Sequence, residues 1–284
     1  MYNKIKLESN LVVFLIFCVR LEIMQYFYSI LLGVIEGATE YLPISSTFHL
    51  IWVSRLLNIP QTEFQKSFEV IIQSGAILAV VLLYFSLIKG NRSLILKVLI
   101  SFMPTALIGF VFYKIIKNFF FENFFLQLTV FIGVGIFFIF FEKNQKKEKL
   151  SKNLNQLTIS QALIIGVIQA LAVIPGVSRA GAVIVGLIFF RLNRRDAAIY
   201  SFLLAVPTLL AASALDFIKT YPQITSHPEN FSVLLAGFLS AFVSALIVVK
   251  WFISFLQKHS LSAFGIYRIA LGFIILAISL IFSF

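Results

Sequence analysis

Two glutamates four residues apart, three consecutive hydroxyl residues and a histidine occupy the stretch Gly33–Leu50, GVIEGATEYLPISSTFHL, inside otherwise apolar sequence. Four-residue spacing puts Glu36 and Glu40 on one face of a helix. Pro43 lacks an N–H and restricts the residue before it, so that helix is predicted to end there. Ser45, Ser46 and Thr47 are types that begin helices, and His49 follows Ser46 by three, on the same face of a second helix. A further polar island, Ser178-Arg179, follows Pro175-Gly176 within another apolar run.

These types suit phosphate chemistry. Free N–H groups and the positive dipole end of a helix start favour an anion, and the Arg179 fork matches phosphate oxygens. Glu36 and Glu40 would repel a bare phosphate, so a divalent cation, Mg²⁺ or Ca²⁺, is expected with them. Ser46 and His49 then read as nucleophile and base, or His49 as general acid. The alternative, a purely structural ion pair of Arg179 with Glu36 or Glu40, leaves the serines and His49 without a role.

The elements that must position these residues are membrane helices. Of 284 residues, 60% are hydrophobic and 12% charged, against about 45–50% and about 25% in ordinary soluble domains. The apolar runs are continuous, which rejects an alternating β-barrel and leaves an all-α polytopic membrane protein. The single Cys18 excludes an intrachain disulfide and a cysteine metal cluster. The net charge of +11 sits mostly in short loops between apolar runs, so it reports topology rather than nucleic-acid binding.

Residues 1–23 form an N-terminal extension that resembles a signal peptide without a cleavage site, and Met24 offers an alternative start. Residues 24–284 form a single membrane domain. In its first half, Tyr26–Leu42 and the short arm Phe48–Leu57 read as a re-entrant hairpin, because about ten residues span roughly 15 Å, half of the hydrocarbon core. Spans follow at Ser67–Ile88, Leu94–Tyr113 and Asn123–Phe141, completing repeat one at about residue 142. The lysine-rich segment 143–157 is expected to be a solvated loop. Repeat two, 158–284, opens with a broken element over Thr158–Phe190 and continues with spans at Ala197–Ile218, Phe231–Ile253 and Leu261–Phe282. Glu69 and Gln73, at the start of a span near the cavity mouth, are expected either to support the site or to serve a simple structural role. Arg268, inside or at the edge of the last span, is expected to be a snorkelling anchor rather than a site residue.

The halves repeat. Gly33-Val34-Ile35-Glu36 aligns with Gly166-Val167-Ile168-Gln169, 133 positions later, and the same offset places Ser45 on Ser178 and Ser46 on Arg179. Three spans per half make the second copy inverted. Placing Lys89 inside also puts Arg92, Lys97, the linker lysines, Arg191, Arg194, Arg195, Lys250 and Lys258 on the cytoplasmic side. Arg55, Lys66, Lys114, Lys117 and Lys219 remain outside, in accord with the positive-inside rule. The expected architecture is two inverted-topology repeats, each a re-entrant hairpin plus three transmembrane helices, with the breaks meeting near the midplane.

EGATEYLPISSTFH and PGVSRAG closely resemble the two signatures of the bacitracin-resistance family of undecaprenyl-diphosphate phosphatases; FEVIIQSGAILAVV, SFLLAVPTLLAASALD and FGIYR match further family blocks. The resemblance runs from about Met24 to the C-terminus. It implies a hydrolase of the bacterial cytoplasmic membrane that removes one phosphate from undecaprenyl diphosphate and recycles the carrier lipid for peptidoglycan synthesis. It further implies divalent-metal dependence and a site opening to the extracytoplasmic side. Carried over by position, Glu36 and Glu40 are the essential carboxylates, Ser46 the nucleophile, His49 its partner and Arg179 the phosphate clamp, with Ser45, Thr47 and Ser178 lining the site. The family's second motif usually reads SRSGAT, where this chain has Ala180 and Val183, and Phe48 stands where Gly is usual. The rival reading, suggested by the inverted repeat, is a transporter or flippase for a phosphorylated lipid. The expected partners are the bilayer and the polyprenyl diphosphate; a homodimer is an arrangement the sequence leaves open.

Overall fold

The computed structural model describes residues 23–115, 123–145 and 150–282. The extension before Ile23 and the charges of Lys117, Lys146, Lys147 and Lys149 lie outside the described residues. Among the described residues every regular element is a helix, with one isolated parallel bridge between Lys152 and Leu192. Six helices there are long and apolar enough to cross a membrane. The chain is an all-α multi-pass membrane protein.

Helix α1 covers residues 23–39 and α2 Ser46–Leu56. At 11 residues α2 is about 16 Å long, half of a hydrocarbon core. The next segment runs as α3 Glu63–Ile71, α4 Gln73–Leu83 and α5 Phe85–Gly90. It begins four residues before the expected Ser67, because the Thr62 side chain caps the helix by accepting from the Gln65 N–H at 3.1 Å. Then come α6 Arg92–Ile115, α7 Phe124–Asn144, α8 Ile159–Ala170 and, after a 3₁₀ turn at Leu171–Val173, α9 Arg179–Phe189. The chain closes with α10 Arg194–Ser226, α11 Pro228–Lys258 and α12 Ser262–Phe282. Helices α10 and α11 outrun the expected spans at both ends, since the apolar stretch marks where lipid ends and not where backbone hydrogen bonding ends.

Without a hydrophobic force between helices in lipid, close packing needs small residues at the contacts. A Cβ on Gly33 would collide with the Gly237 carbonyl of α11, and a Cβ on Gly166 with the Ser101 carbonyl of α6. The two glycines are 133 positions apart, so α1 and α8 each lie against a helix of the other half through the same device.

Corresponding spans run antiparallel. Tyr84 of the first half meets Phe202 of α10, while Val70 accepts from Ser213 further along it. Likewise Ile132 of α7 faces Gly272 of α12, and Gly135 faces Gly265.

Among its described residues the linker is more than a solvated loop. Lys152 exchanges backbone hydrogen bonds with Arg191 (3.1 Å) and Asn193 (2.9 Å), Leu154 N–H donates to Asp196, and Lys97 reaches the Asn155 carbonyl. Glu142, at the foot of α7, takes a bidentate pair from Arg194 at 2.5 and 2.6 Å and the Leu261 N–H at 2.9 Å. The helix ends there leave unpaired N–H and C=O groups, and the linker's own polar backbone supplies partners.

Candidate active site

The site is built where α1 and α8 stop and α2 and α9 start. Ser45 and Ser178 precede the two short helices with φ of 67° and 73°, a left-handed conformation unusual for a residue with a Cβ. A further pair, Asn58 (51°) and Arg191 (69°), follows the same helices at the same 133-residue spacing. Each short helix therefore has the same 11-residue length and the same sharp turn before and after it.

A fully buried arginine ties the breaks together. Arg268 of α12 is 0% exposed and donates to the Phe131 carbonyl at 2.9 Å, to the Pro43 carbonyl at 3.2 Å and to the Gly176 carbonyl. Pro43 and Gly176 are themselves 133 positions apart, so one guanidinium holds corresponding carbonyls of both breaks. The expectation of a snorkelling anchor is corrected here. Arg268 stands one and a half turns inside α12, and carbonyls freed by the two broken helices take up its charge. An isolated charge inside a span is functional by default, and that was the signal that could have found it.

Glu40 is the hub of the cavity. Its Oε1 receives Arg179 Nη2 at 3.1 Å and Nε at 3.3 Å, and its Oε2 receives the Ser46 hydroxyl at 2.5 Å. Arg179 also donates through Nη1 to the Ser201 carbonyl at 2.8 Å, which fixes the fork's plane. Ser178 accepts from the Gly181 N–H in the first turn of α9. Glu40, Ser45, Ser46, Thr47, Gln73, Ser178 and Arg179 line one cavity of about 160 Å³.

Glu36 lies one turn before Glu40, 0% exposed, and neither carboxylate oxygen has a hydrogen-bond partner. A buried carboxylate without a counter-charge is costly. Arg179 pairs with Glu40 and makes no hydrogen bond to Glu36. Among the described residues no group of three or more His, Cys, Asp or Glu could cage a metal alone. Two carboxylates one turn apart, one of them orphaned, fit a hard cation that takes its remaining ligands from phosphate oxygens and water.

His49 does not line this cavity. Its Nδ1 lies 2.8 Å from the Ser45 carbonyl and its Nε2 2.8 Å from the Tyr267 hydroxyl. A carbonyl only accepts, so Nδ1 carries the proton and Nε2 faces Tyr267. The expected pairing of Ser46 with His49 is not the hydrogen bond formed: Ser46 turns to Glu40 and His49 to the ring of Tyr267. Of the two supporting residues, Gln73 lines the cavity. Glu69 stands one turn before it and accepts from Ser54 at 2.9 Å and Gln65 at 3.0 Å.

The departures from the family pattern fall in packing. Ala180 and Val183 are fully buried in the hydrophobic core, and Phe48 stacks on Phe131 at 4.2 Å. Sequence reasoning missed three polar residues of the cavity wall: Thr105, Gln169 and Thr208. Gln169 occupied the place of Glu36 in the repeat alignment, the signal that could have found it.

Comparison with known proteins accords with this geometry. The family model described as "Bacitracin resistance protein BacA" matches residues 29–274. An undecaprenyl-diphosphatase of Persephonella marina is 47% identical over 249 residues, covering 87% of this chain and 96% of that protein. That of Aquifex aeolicus is 43% identical over 251 residues, covering 88% and 97%. That of Methanococcus aeolicus is 42% identical over 254 residues, covering 89% and 98%. Helix breaks that gather two carboxylates, serines and an arginine, in a chain matched nearly end to end, place this protein in the BacA family of bacitracin resistance proteins.

Proposed function

We propose that the chain hydrolyses undecaprenyl diphosphate to undecaprenyl phosphate and inorganic phosphate, the activity that its relatives' names give. The observation that carries the reading is the hub at Glu40, which a serine hydroxyl and an arginine reach from the starts of two different helices.

The terminal phosphate sits between the starts of α2 and α9, where free N–H groups and dipole ends face it. Arg179 turns part of its fork from Glu40 to the equatorial phosphate oxygens, where charge spreads in the transition state. Ser46 Oγ attacks phosphorus as its proton passes to Glu40, and the bond to the bridging oxygen breaks with its electron pair leaving on the lipid monophosphate. Water then forms a bond to phosphorus and gives up a proton, and the Ser46 oxygen leaves with the proton held by Glu40. Glu36 and Glu40 would hold a divalent cation, Mg²⁺ or Ca²⁺, which would neutralise phosphate charge beside the carboxylates. Ser45, Thr47 and Ser178 border the phosphate, Gln73 and Glu69 support its mouth, and the Ser45–His49–Tyr267 chain holds the first break in shape.

The two halves are inverted copies, a reading supported by the antiparallel running of corresponding spans and the shared 133-residue spacing of the turns. The basic linker side faces the cytoplasm by its charge, and the cavity opens to the opposite side of the cytoplasmic membrane. The same inverted architecture favours a second reading, a transporter or flippase for a phosphorylated lipid. Formation of inorganic phosphate from a long polyprenyl diphosphate in detergent micelles, where no compartments exist, decides between them: a hydrolase turns over there, and chelator stops it; a flippase releases nothing.

A further inference from the structure

The second half contributes its own recognition element to the cavity. Gln169 of α8 is 1% exposed and stands 133 positions after Glu36. Its amide nitrogen lies 2.9 Å from Thr105 Oγ1 of α6 and 3.1 Å from Thr208 Oγ1 of α10. Both threonine hydroxyls donate to helix carbonyls, Thr105 to Gly166 at 2.9 Å and Thr208 to Leu204 at 2.8 Å, so toward Gln169 they only accept. The NH₂ end must therefore face them, and the amide cannot flip. Its Oε1 is left buried without a donor, in a residue that lines the same cavity as Arg179 and Ser46.

A fixed acceptor with no partner recognises a hydrogen-bond donor. A fully ionised terminal phosphate offers none. Hydrolysis forms a P–O bond to the water oxygen and breaks the bridging P–O bond, whose electron pair leaves on the lipid monophosphate. At neutral pH one water hydrogen stays on the inorganic product and the other departs as a proton. That product, hydrogen phosphate, carries one O–H. Where the first half places a carboxylate, the neutral amide lets a phosphate oxygen approach without charge repulsion. We propose that Gln169 Oε1 accepts the O–H of hydrogen phosphate, making the second-half wall a binding subsite for the inorganic product. The subsite rests on the placement of phosphate beside Arg179.

Monofluorophosphate tests it, because at mildly alkaline pH it is a dianion like hydrogen phosphate but carries fluorine where the O–H would be. Both ions are used to inhibit the purified enzyme, read by formation of the lipid monophosphate. Wild type should bind phosphate about tenfold more tightly than fluorophosphate, the scale of a buried acceptor left unpaired. Gln169→Met should erase that preference while leaving fluorophosphate inhibition in place. Arg179→Lys should weaken both ions alike and keep their ratio. Equal inhibition by the two ions in wild type, or a preference that survives Gln169→Met, would overturn the subsite. Unchanged inhibition by both ions in Arg179→Lys would instead remove the placement of phosphate on which it rests.

Discussion

Ser46 and Glu40 face each other across a helix break, with the hydroxyl 2.5 Å from carboxylate Oε2. They stand six positions apart in sequence, and Pro43 turns the chain back between them. A short hydrogen bond to a carboxylate is among the stronger kinds, and it aims the serine proton at the group best placed to take it. Ser46→Ala should lower kcat by about a hundredfold or more, roughly 2.7 kcal/mol of barrier, with thermal stability near wild type. Retention of most activity would assign the attack to water without the serine.

Glu36 gives a prediction about metal that does not depend on turnover. Its carboxylate is buried without a partner, so a divalent cation should raise the melting temperature of the wild type and EDTA should lower it. In Glu36→Gln the cation-dependent shift should vanish, because a neutral amide binds a hard cation weakly. Activity in EDTA should be lost in parallel. A cation shift that persists in Glu36→Gln would take the metal away from this residue.

Arg179→Lys keeps the charge but not the fork. Lysine is a point charge and cannot hold Glu40, the Ser201 carbonyl and phosphate oxygens in one plane. The expected loss in kcat is about a hundredfold or more, with the protein still folded. Ser178→Ala should cost far less, since a neutral hydrogen bond contributes only about 0.5–1.5 kcal/mol net. Near wild-type rates in Arg179→Lys would make the residue a structural ion-pair partner.

Arg268 separates a tether from an anchor. Three carbonyls from α7 and from both breaks converge on it. Arg268→Lys cannot reach all three, and Arg268→Met leaves them unpaired in a buried setting. Both should be destabilised, Met by about 3 kcal/mol or more, and both should lose activity as the breaks shift. A snorkelling arginine would tolerate lysine with no change in melting temperature.

Topology can be read directly. A reporter placed in the lysine-rich segment after Asn144 should be cytoplasmic, and one placed before Pro228 should lie on the opposite side. Finding both on one face would overturn the inverted arrangement, because three spans could not then separate the halves.

Much of this molecule could be read in the residues. Composition alone set the class, since 60% apolar residues in continuous runs admit only helices across a bilayer. Pro43 and Pro175-Gly176 located both breaks, because proline and glycine act locally on φ and on hydrogen bonding. Glu36 and Glu40 showed their common face, because helical spacing is a local property too. The 133-residue offset lay in plain view at Gly33 and Gly166.

What only the tertiary structure decided is which partner each polar group takes. Ser46 and His49 share a face by spacing, yet one turns to Glu40 and the other to Tyr267, 218 residues away. Arg268 read as a snorkelling anchor because its three acceptors come from Phe131, Pro43 and Gly176, none of them near it in sequence. Gln169 read as one more polar residue in an apolar helix until Thr105 and Thr208 fixed its amide. A side chain's type and its place on its own helix are local facts, settled by the chain's periodicity. Its hydrogen-bond partner depends on which helix packs beside it, and close-packed small residues from both halves settle that choice.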